Sequence, residues 1–372
     1  MDIIGLMATD LNLIGKLIYN VLYKWVDTWA ADIALLGTFS ITVILFTLFL
    51  KVVTMPFDVW QKVLTRKNAR IMEVMKPELE KIQKQCGTNR ELLMQRQRAL
   101  YKQHKYSAIG GCLPMLITLV IFIVVFSGFN SAVRYHNSVI YDEMREVYNT
   151  AHTQAVDTLI TEGKATRDEN NQLVPTEGNS VDELKAFMTQ KSEAAVLAAY
   201  KPQHFLMTKN IFMPDTWAQP IPTAAKFTGT GVGKLGITGI DGGEYERVMA
   251  PLMREYNFTP AGKRQWNGYL ILPILVVLLN IVSAKLNKPP EQPQMIGQTE
   301  EQKKAQQTQT KMLTYMMPLM MAVFAFLYSS AFTLYMLCNS LITTIFNLIY
   351  NAVAKRKDAK EKDRILSTTL KK

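Results

Sequence analysis

The sequence predicts an all-α membrane protein, with five transmembrane helices around a hydrophilic groove, a cytoplasmic helical hairpin and an outside amphipathic helix. Three observations predict it. Apolar residues are bunched into long uncharged blocks, where a soluble domain would spread them at helical or strand period. Lys and Arg gather in particular intervals between the blocks, and polar residues recur at helical spacing within them.

A bilayer's hydrocarbon core takes about 20 residues of helix. Uncharged stretches near that length run over Ile33–Met55, interrupted by Lys51, then Ala108–Phe129 and Gly268–Ala284. A fourth block, Met312–Ala354, has 43 residues without a charge. As one helix it would run about 65 Å, twice a bilayer, so it must fold back. Tyr328, Ser329 and Ser330 form the polar cluster near its middle and predict a tight hairpin there. The spans are thus 32–56, 108–129, 267–285, 312–330 and 331–353.

Orientation follows from Lys and Arg in loops near the span ends, which stay on the cytoplasmic side. Residues 57–107 carry 12 Lys/Arg against 5 Asp/Glu, 286–312 carry 4 against 3, and 353–372 carry 8 against 3. The first 32 residues (2 against 4) and residues 129–266 (14 against 16) lack the excess and are placed outside. Hence 57–107 is a cytoplasmic hairpin, 286–311 a cytoplasmic loop and 354–372 a basic cytoplasmic tail. Residues 1–31 form an outside interfacial helix and 130–266 an extracytoplasmic insertion. The net charge of +11 reflects this topology, so no DNA partner is needed to explain it.

Leu13, Ile14, Leu17, Ile18, Val21, Leu22 and Trp25 lie at helical spacing opposite Asn12, Lys16, Asn20 and Lys24. Trp25 and Trp29, just before a span, put this amphipathic helix in the outer interface, with packing on the outside domain as the alternative. The N-terminus shows no basic leader, so the first span is expected to act as its own insertion signal. In 57–107, Met72, Met75, Leu79 and Ile82 give an apolar seam, Cys86-Gly87-Thr88-Asn89 a break, and Pro77 a kink or restart. Helical patterns near 138–160 and 181–200 precede a Pro/Gly-rich run from Met213 to Gly243.

The chemistry-bearing residues form no catalytic set. Gly229-Thr230-Gly231-Val232-Gly233-Lys234-Leu235 resembles a phosphate loop only partly, because Thr228 and Leu235 stand where the first Gly and the magnesium-holding Ser or Thr belong. His104, His136, His152 and His204 lack metal-ligand spacing, and Cys86, Cys112 and Cys338 give no disulfide framework. The expectation is a protein that is not an enzyme and takes no cofactor.

A Lys inside a span costs about 2.5 to 3.5 kcal/mol at its centre, which makes Lys51 a candidate functional residue. Snorkelling to the cytoplasmic headgroups is the alternative. Ser40, Thr47, Lys51, Thr54 and Asp58 share one helix face, and a polar face along a span meets partner helices or water. Tyr335, Asn339, Thr343 and Asn347 recur every four residues in the last span, and Thr118, Asn280 and Ser283 add polar points. Each alone serves equally as interhelical hydrogen-bond glue. Together they predict a hydrated cavity holding a cation, with Lys51, Thr47, Thr54, Thr118, Asn280, Tyr335, Asn339 and Thr343 as its groove residues.

Leu50-Lys51-Val52-Val53-Thr54-Met55-Pro56-Phe57, Lys76-Pro77-Glu78, Leu100-Tyr101-Lys102 and Gly110-Gly111-Cys112-Leu113-Pro114-Met115-Leu116-Ile117 resemble the YidC-type insertases and their organellar relatives. So do Leu272-Pro273-Ile274-Leu275, Met317-Pro318-Leu319 and Leu334-Tyr335 with Asn339. The resemblance covers roughly 30–129 and 266–351, and the insertion 130–266 has no counterpart within it. It implies five spans around a groove closed to the outside and open to the cytoplasm and lipid. It also implies a cation at position 51, where Lys replaces the usual Arg and loses its bidentate fork. Thr118 and Val120 stand for a usual Gln and Pro, and Ser329 and Ala331 for a Pro and a Gly. The implied function is insertion and folding of nascent membrane proteins, alone or with the Sec translocon. The bacterial plasma membrane is the expected location, N-terminus outside and C-terminus cytoplasmic, and membrane lipids are expected partners. The hairpin and basic tail would meet the ribosome or anionic headgroups. A small transporter or channel, or an envelope assembly factor, is the alternative.

Overall fold

The computed structural model describes residues 11–30, 36–87, 89–106, 109–286, 316 and 319–369. Residues 287–311 of the predicted loop and most of 312–318 lie outside the described residues, as do 1–10 and 31–35 of the predicted interfacial helix and first span. The chain forms two compact units, one of Met1–Ile44, Phe126–Pro273 and Phe324–Leu334, the other of Leu45–Val125, Ile274–Val323 and Tyr335–Lys372. Helix dominates both.

In the first unit, α1 (Leu13–Lys16) passes through a π-helical stretch (Leu17–Tyr23) into α2 (Lys24–Ala30). Asn12 caps the start, its side chain accepting from the Gly15 amide. Gly15, Ile18, Tyr19, Val26 and Ala30 are buried, whereas Val21, Trp25 and Trp29, one turn apart, are exposed. The predicted apolar face is therefore split: Ile18 packs inward while Val21 and Trp25 face out. Close contact with α5 (Ile109–Thr161) explains the inward half. A Cβ on Gly128 of α5 would fall 2.3 Å from the Ile14 side chain, so glycine lets the two helices meet.

α5 does not stop at the predicted span end near residue 129. It runs 53 residues, carrying the predicted 138–160 helix as its continuation. Beyond it, β1 (Ala165–Arg167) pairs antiparallel with β2 (Leu173–Pro175). α6 (Val181–Ala199) begins at a reciprocal capping box of Ser180 and Glu183. Then come α7 (Ala224–Phe227) and α8 (Gly242–Asn257), the latter capped by Asp241. Tyr141, Tyr148, Val196, Phe227, Tyr245 and Leu252 pack into one core from α5, α6, α7 and α8, so this part of the insertion is a folded helical body.

The segment between α6 and α7 completes the N-terminal ends of three other helices. The His204 carbonyl accepts from the Gly37 amide (3.0 Å) just before α3 (Thr38–Cys86). The Ile211 and Met213 carbonyls accept from the Ala331 and Ser330 amides (2.8 and 2.9 Å) at the start of α10 (Ser330–Thr369). The Asp215 carboxylate accepts from Leu270 (3.2 Å) and Leu272 (2.7 Å) at the start of α9 (Ile271–Leu286). Helix N-termini leave amides without intrahelical acceptors, and these bonds supply them. Asn267 locks the segment, donating to the carbonyls of Asn210, Met213 and Pro214.

In the second unit, α3 continues from its apolar part into the basic arm without a break, through Pro56 and Pro77. The expected boundary at Pro56 and restart at Pro77 do not interrupt it: each proline removes a single amide, and the remaining ladder holds. α3 ends at Cys86, and Asn89 caps α4 (Arg90–Gln103), its side chain accepting from Leu92. Met75, Cys86 and Leu100 are buried, and Arg96 donates to Gln85 from one arm to the other. Residues 319–327 are helical, with Tyr328 and Ser329 between them and α10.

Candidate functional site

The polar residues of the second unit converge where α3, α9 and α10 meet. Lys51 on α3 is only 8% exposed. Its Nζ donates to Thr343 Oγ1 on α10 (2.9 Å) and pairs with Asp58 Oδ2 at 2.6 Å. Seven residues put Asp58 two turns along the same helix face, within reach of a long lysine stem. At that distance the two opposite charges form a close ion pair, while the hydrogen bond of the ammonium goes to Thr343.

The remaining predicted groove residues divide. Thr47 is buried on the Lys51 face. Thr54 turns its hydroxyl to the Lys51 carbonyl (3.4 Å), and Tyr335 is buried with its ring 6.5 Å from that of Phe46. Asn280 on α9 donates to the Val276 carbonyl and accepts from Ser340 (3.2 Å). Asn339 and Thr343 are half-buried on α10. Thr118 on α5 is exposed, so it does not join the buried polar residues.

Two features escaped the sequence reading. Asp58 stands on the predicted stripe, but its role as counter-ion was not foreseen; the spacing of seven from Lys51 was the available signal. On α10 the buried polar face also takes in Ser340 and Thr344 beside Asn347, a strip wider than the four-residue ribbon. Among the described residues no group of His, Cys, Asp or Glu is arranged to hold a metal ion.

Burial is inverted relative to a soluble protein. On α10, Ser340, Thr344 and Asn347 are buried while Leu341, Ile345, Leu348 and Ile349 are exposed. On α3, Thr47 and Lys51 are buried while Leu48, Phe49, Val52 and Val53 are exposed. On α9, Ile274, Leu275, Leu278 and Val282 face outward. Such surfaces are stable only against a solvent as apolar as themselves. Thr38–Cys86, Ile117–Thr161 and Ser330–Lys357 are long and apolar enough to cross a membrane, and Ile271–Leu286 is a shorter apolar helix.

These features define a helical, multi-pass membrane protein with a polar interior. The family model described as 60Kd inner membrane protein matches residues 31–164 and 185–358, and the chain belongs to that family. Similar proteins include the membrane protein insertase YidC of Fusobacterium nucleatum, 32% identical over 97 residues, which are 26% of this chain and 45% of the relative. Those of an Anaeromyxobacter species (32% over 132 residues, 35% and 22%) and Clostridium perfringens (27% over 112 residues, 29% and 45%) are similar too. The chain thus spans less than half the length of these relatives. The family match also corrects the reading of 130–266 as lacking a counterpart, because it includes 130–164 and 185–266.

Proposed function

We propose that this chain is a membrane protein insertase that helps nascent membrane proteins enter the bilayer through a hydrophilic groove. Support comes from family membership, from relatives named as insertases, and above all from one observation. Lys51 is a buried cation shared between Thr343 and Asp58 on the polar faces of two helices that look apolar from outside. The groove, lined by Lys51, Thr47, Thr54, Asn280, Tyr335, Asn339 and Thr343, gives a hydrophilic segment hydrogen-bond partners partway through the membrane and so lowers its transfer cost. Thr118, though exposed, is kept as a groove residue for a substrate passing along α5.

In this reading an acidic substrate residue competes with Asp58 for Lys51, so attraction is transient and the segment slides onward into lipid. No bond is made or broken, and the protein is not an enzyme. Five spans, an outside N-terminus, a cytoplasmic hairpin and tail, and the bacterial plasma membrane complete the reading. Ribosomes and the Sec translocon are its proposed partners, the former through the basic hairpin and tail.

Complementation in a bacterium depleted of its own insertase tests the charge. Lys51→Arg is expected to restore insertion of a dependent substrate, and Lys51→Glu to fail, because it sets two carboxylates together at positions 51 and 58. Full rescue by Lys51→Glu would end the groove-charge account.

A further inference from the structure

The glycine-rich run that fails as a nucleotide loop has a built structure. Gly231, Gly233 and Gly236 adopt φ of +114°, +73° and +63°, which only glycine takes readily. The turn is closed by Gly236 N to Gly229 O (2.9 Å), Leu235 N to Lys226 O (2.9 Å) and Ile237 N to Phe227 O (3.0 Å). A Cβ on Gly229 would lie 2.3 Å from the Ala225 carbonyl oxygen, 2.8 Å from Lys234 Cδ and 3.2 Å from its Nζ. The Lys234 side chain therefore folds back across the loop, through space that glycine leaves open. From α5, Arg134 Nη2 donates to the Gly236 carbonyl at 2.8 Å and fixes the loop against that helix.

This loop walls a cavity of about 410 Å³ within the first unit. Arg134, Lys226 and Lys234 all line it, Thr230 and Asn130 add polar groups, and among the described residues no carboxylate lines it. Lys226 is half-buried, and that burial pulls the pKa of its ammonium down. Lys226 and Lys234 together on one concave wall raise the local potential and favour an anion.

The geometry points to a binding site for an anionic phosphate group, supplied by a phospholipid headgroup. Two walls argue for the lipid source. Asn130 and Arg134 stand on α5 just past the predicted span end at 129, and Leu327 ends the helical stretch 319–327, with Tyr328 in the turn that follows it. With the spans placed as proposed, the cavity opens at the outer headgroup level, and Leu327 is exposed beside it for an acyl chain. The site goes beyond the insertase reading and rests on the span placement proposed with it.

Native mass spectrometry of the whole chain, released from nanodiscs of phosphatidylcholine with a minor share of phosphatidylglycerol, tests the assignment. The wild type is expected to retain phosphatidylglycerol, and Lys226→Gln/Lys234→Gln to lose at least about tenfold in apparent affinity, as removal of two charge-assisted contacts should give. The double Arg variant retains binding. In a second arm, inorganic phosphate is titrated against the protein in zwitterionic detergent. A phosphate response lost in the Gln variant, without lipid retention, supports the anion site and assigns it a soluble source. Equal lipid retention by wild type and Gln variant, with equal phosphate response, overturns the proposal. Should the double variant fail to fold in phosphatidylcholine alone, each single Gln variant carries the same readouts.

Discussion

Lys51 and Asp58 show how much one side-chain distance decides. A lysine in a span carries its desolvation cost alone unless something nearby shares the charge, and Asp58 shares it at 2.6 Å. With the Lys51 and Asp58 side chains 10% and 28% exposed, the pair is mostly dry, and removing one partner leaves the other charge uncompensated. We predict that Lys51→Met and Asp58→Leu each lower stability by about 1 to 3 kcal/mol, while the double variant recovers much of it, a coupling that a double-mutant cycle in detergent measures. Additive losses would mean the pair is not coupled. Gly268 presents the same logic in backbone form: a Cβ there would fall 1.7 Å from Asp215 Oδ1. Gly268→Ala is therefore expected to lower the melting midpoint more than Gly242→Ala, whose Cβ would meet only the Ala224 Cβ, in ordinary contact at 3.7 Å. Both positions were visible in the sequence only as glycines; the contact that separates them is long-range and invisible to local pattern.

Among the elements, helix ends were harder to foresee than helix bodies. Periodicity marked the amphipathic segment, the hairpin seam at Met75 and the helix after residue 138, because each rests on spacing within one stretch of chain. It missed that α3 and α5 run unbroken from span to flanking helix, since a change from apolar to charged residues alters solvent preference without disturbing backbone hydrogen bonding. The Tyr328–Ser329 interruption falls on the polar cluster that predicts a turn. Nothing local announced that Asp215 caps α9, 57 residues ahead of Leu272. Asp215→Ala is predicted to cost about 1 kcal/mol, as loss of an N-terminal acceptor does elsewhere. Hydrogen exchange should rise at the Leu270 and Leu272 amides and stay unchanged in α4; unaltered exchange at both amides would show that the carboxylate does not hold this end.

For the whole molecule, the inverted burial of α3, α9 and α10 carries more information than any motif, because apolar residues outside and polar residues inside require lipid around them. The charge bias of the loops then predicts a testable sidedness. In a variant lacking Cys86, Cys112 and Cys338, single cysteines at Ser180 and Thr238 are expected to react with an impermeant maleimide on intact cells. Cysteines at Gln97 and Lys357 should react only after the membrane is opened, and the reverse pattern would invert the topology. The segment 204–215 has a further consequence for how the protein is made. A ribosome releases it after α3 but before α9 and α10, so the acceptors for the last two helix ends are synthesised ahead of the helices they complete. The final spans are thus received by a docking platform that has already left the ribosome, and a chain deprived of that platform would have to bury bare amides at both ends.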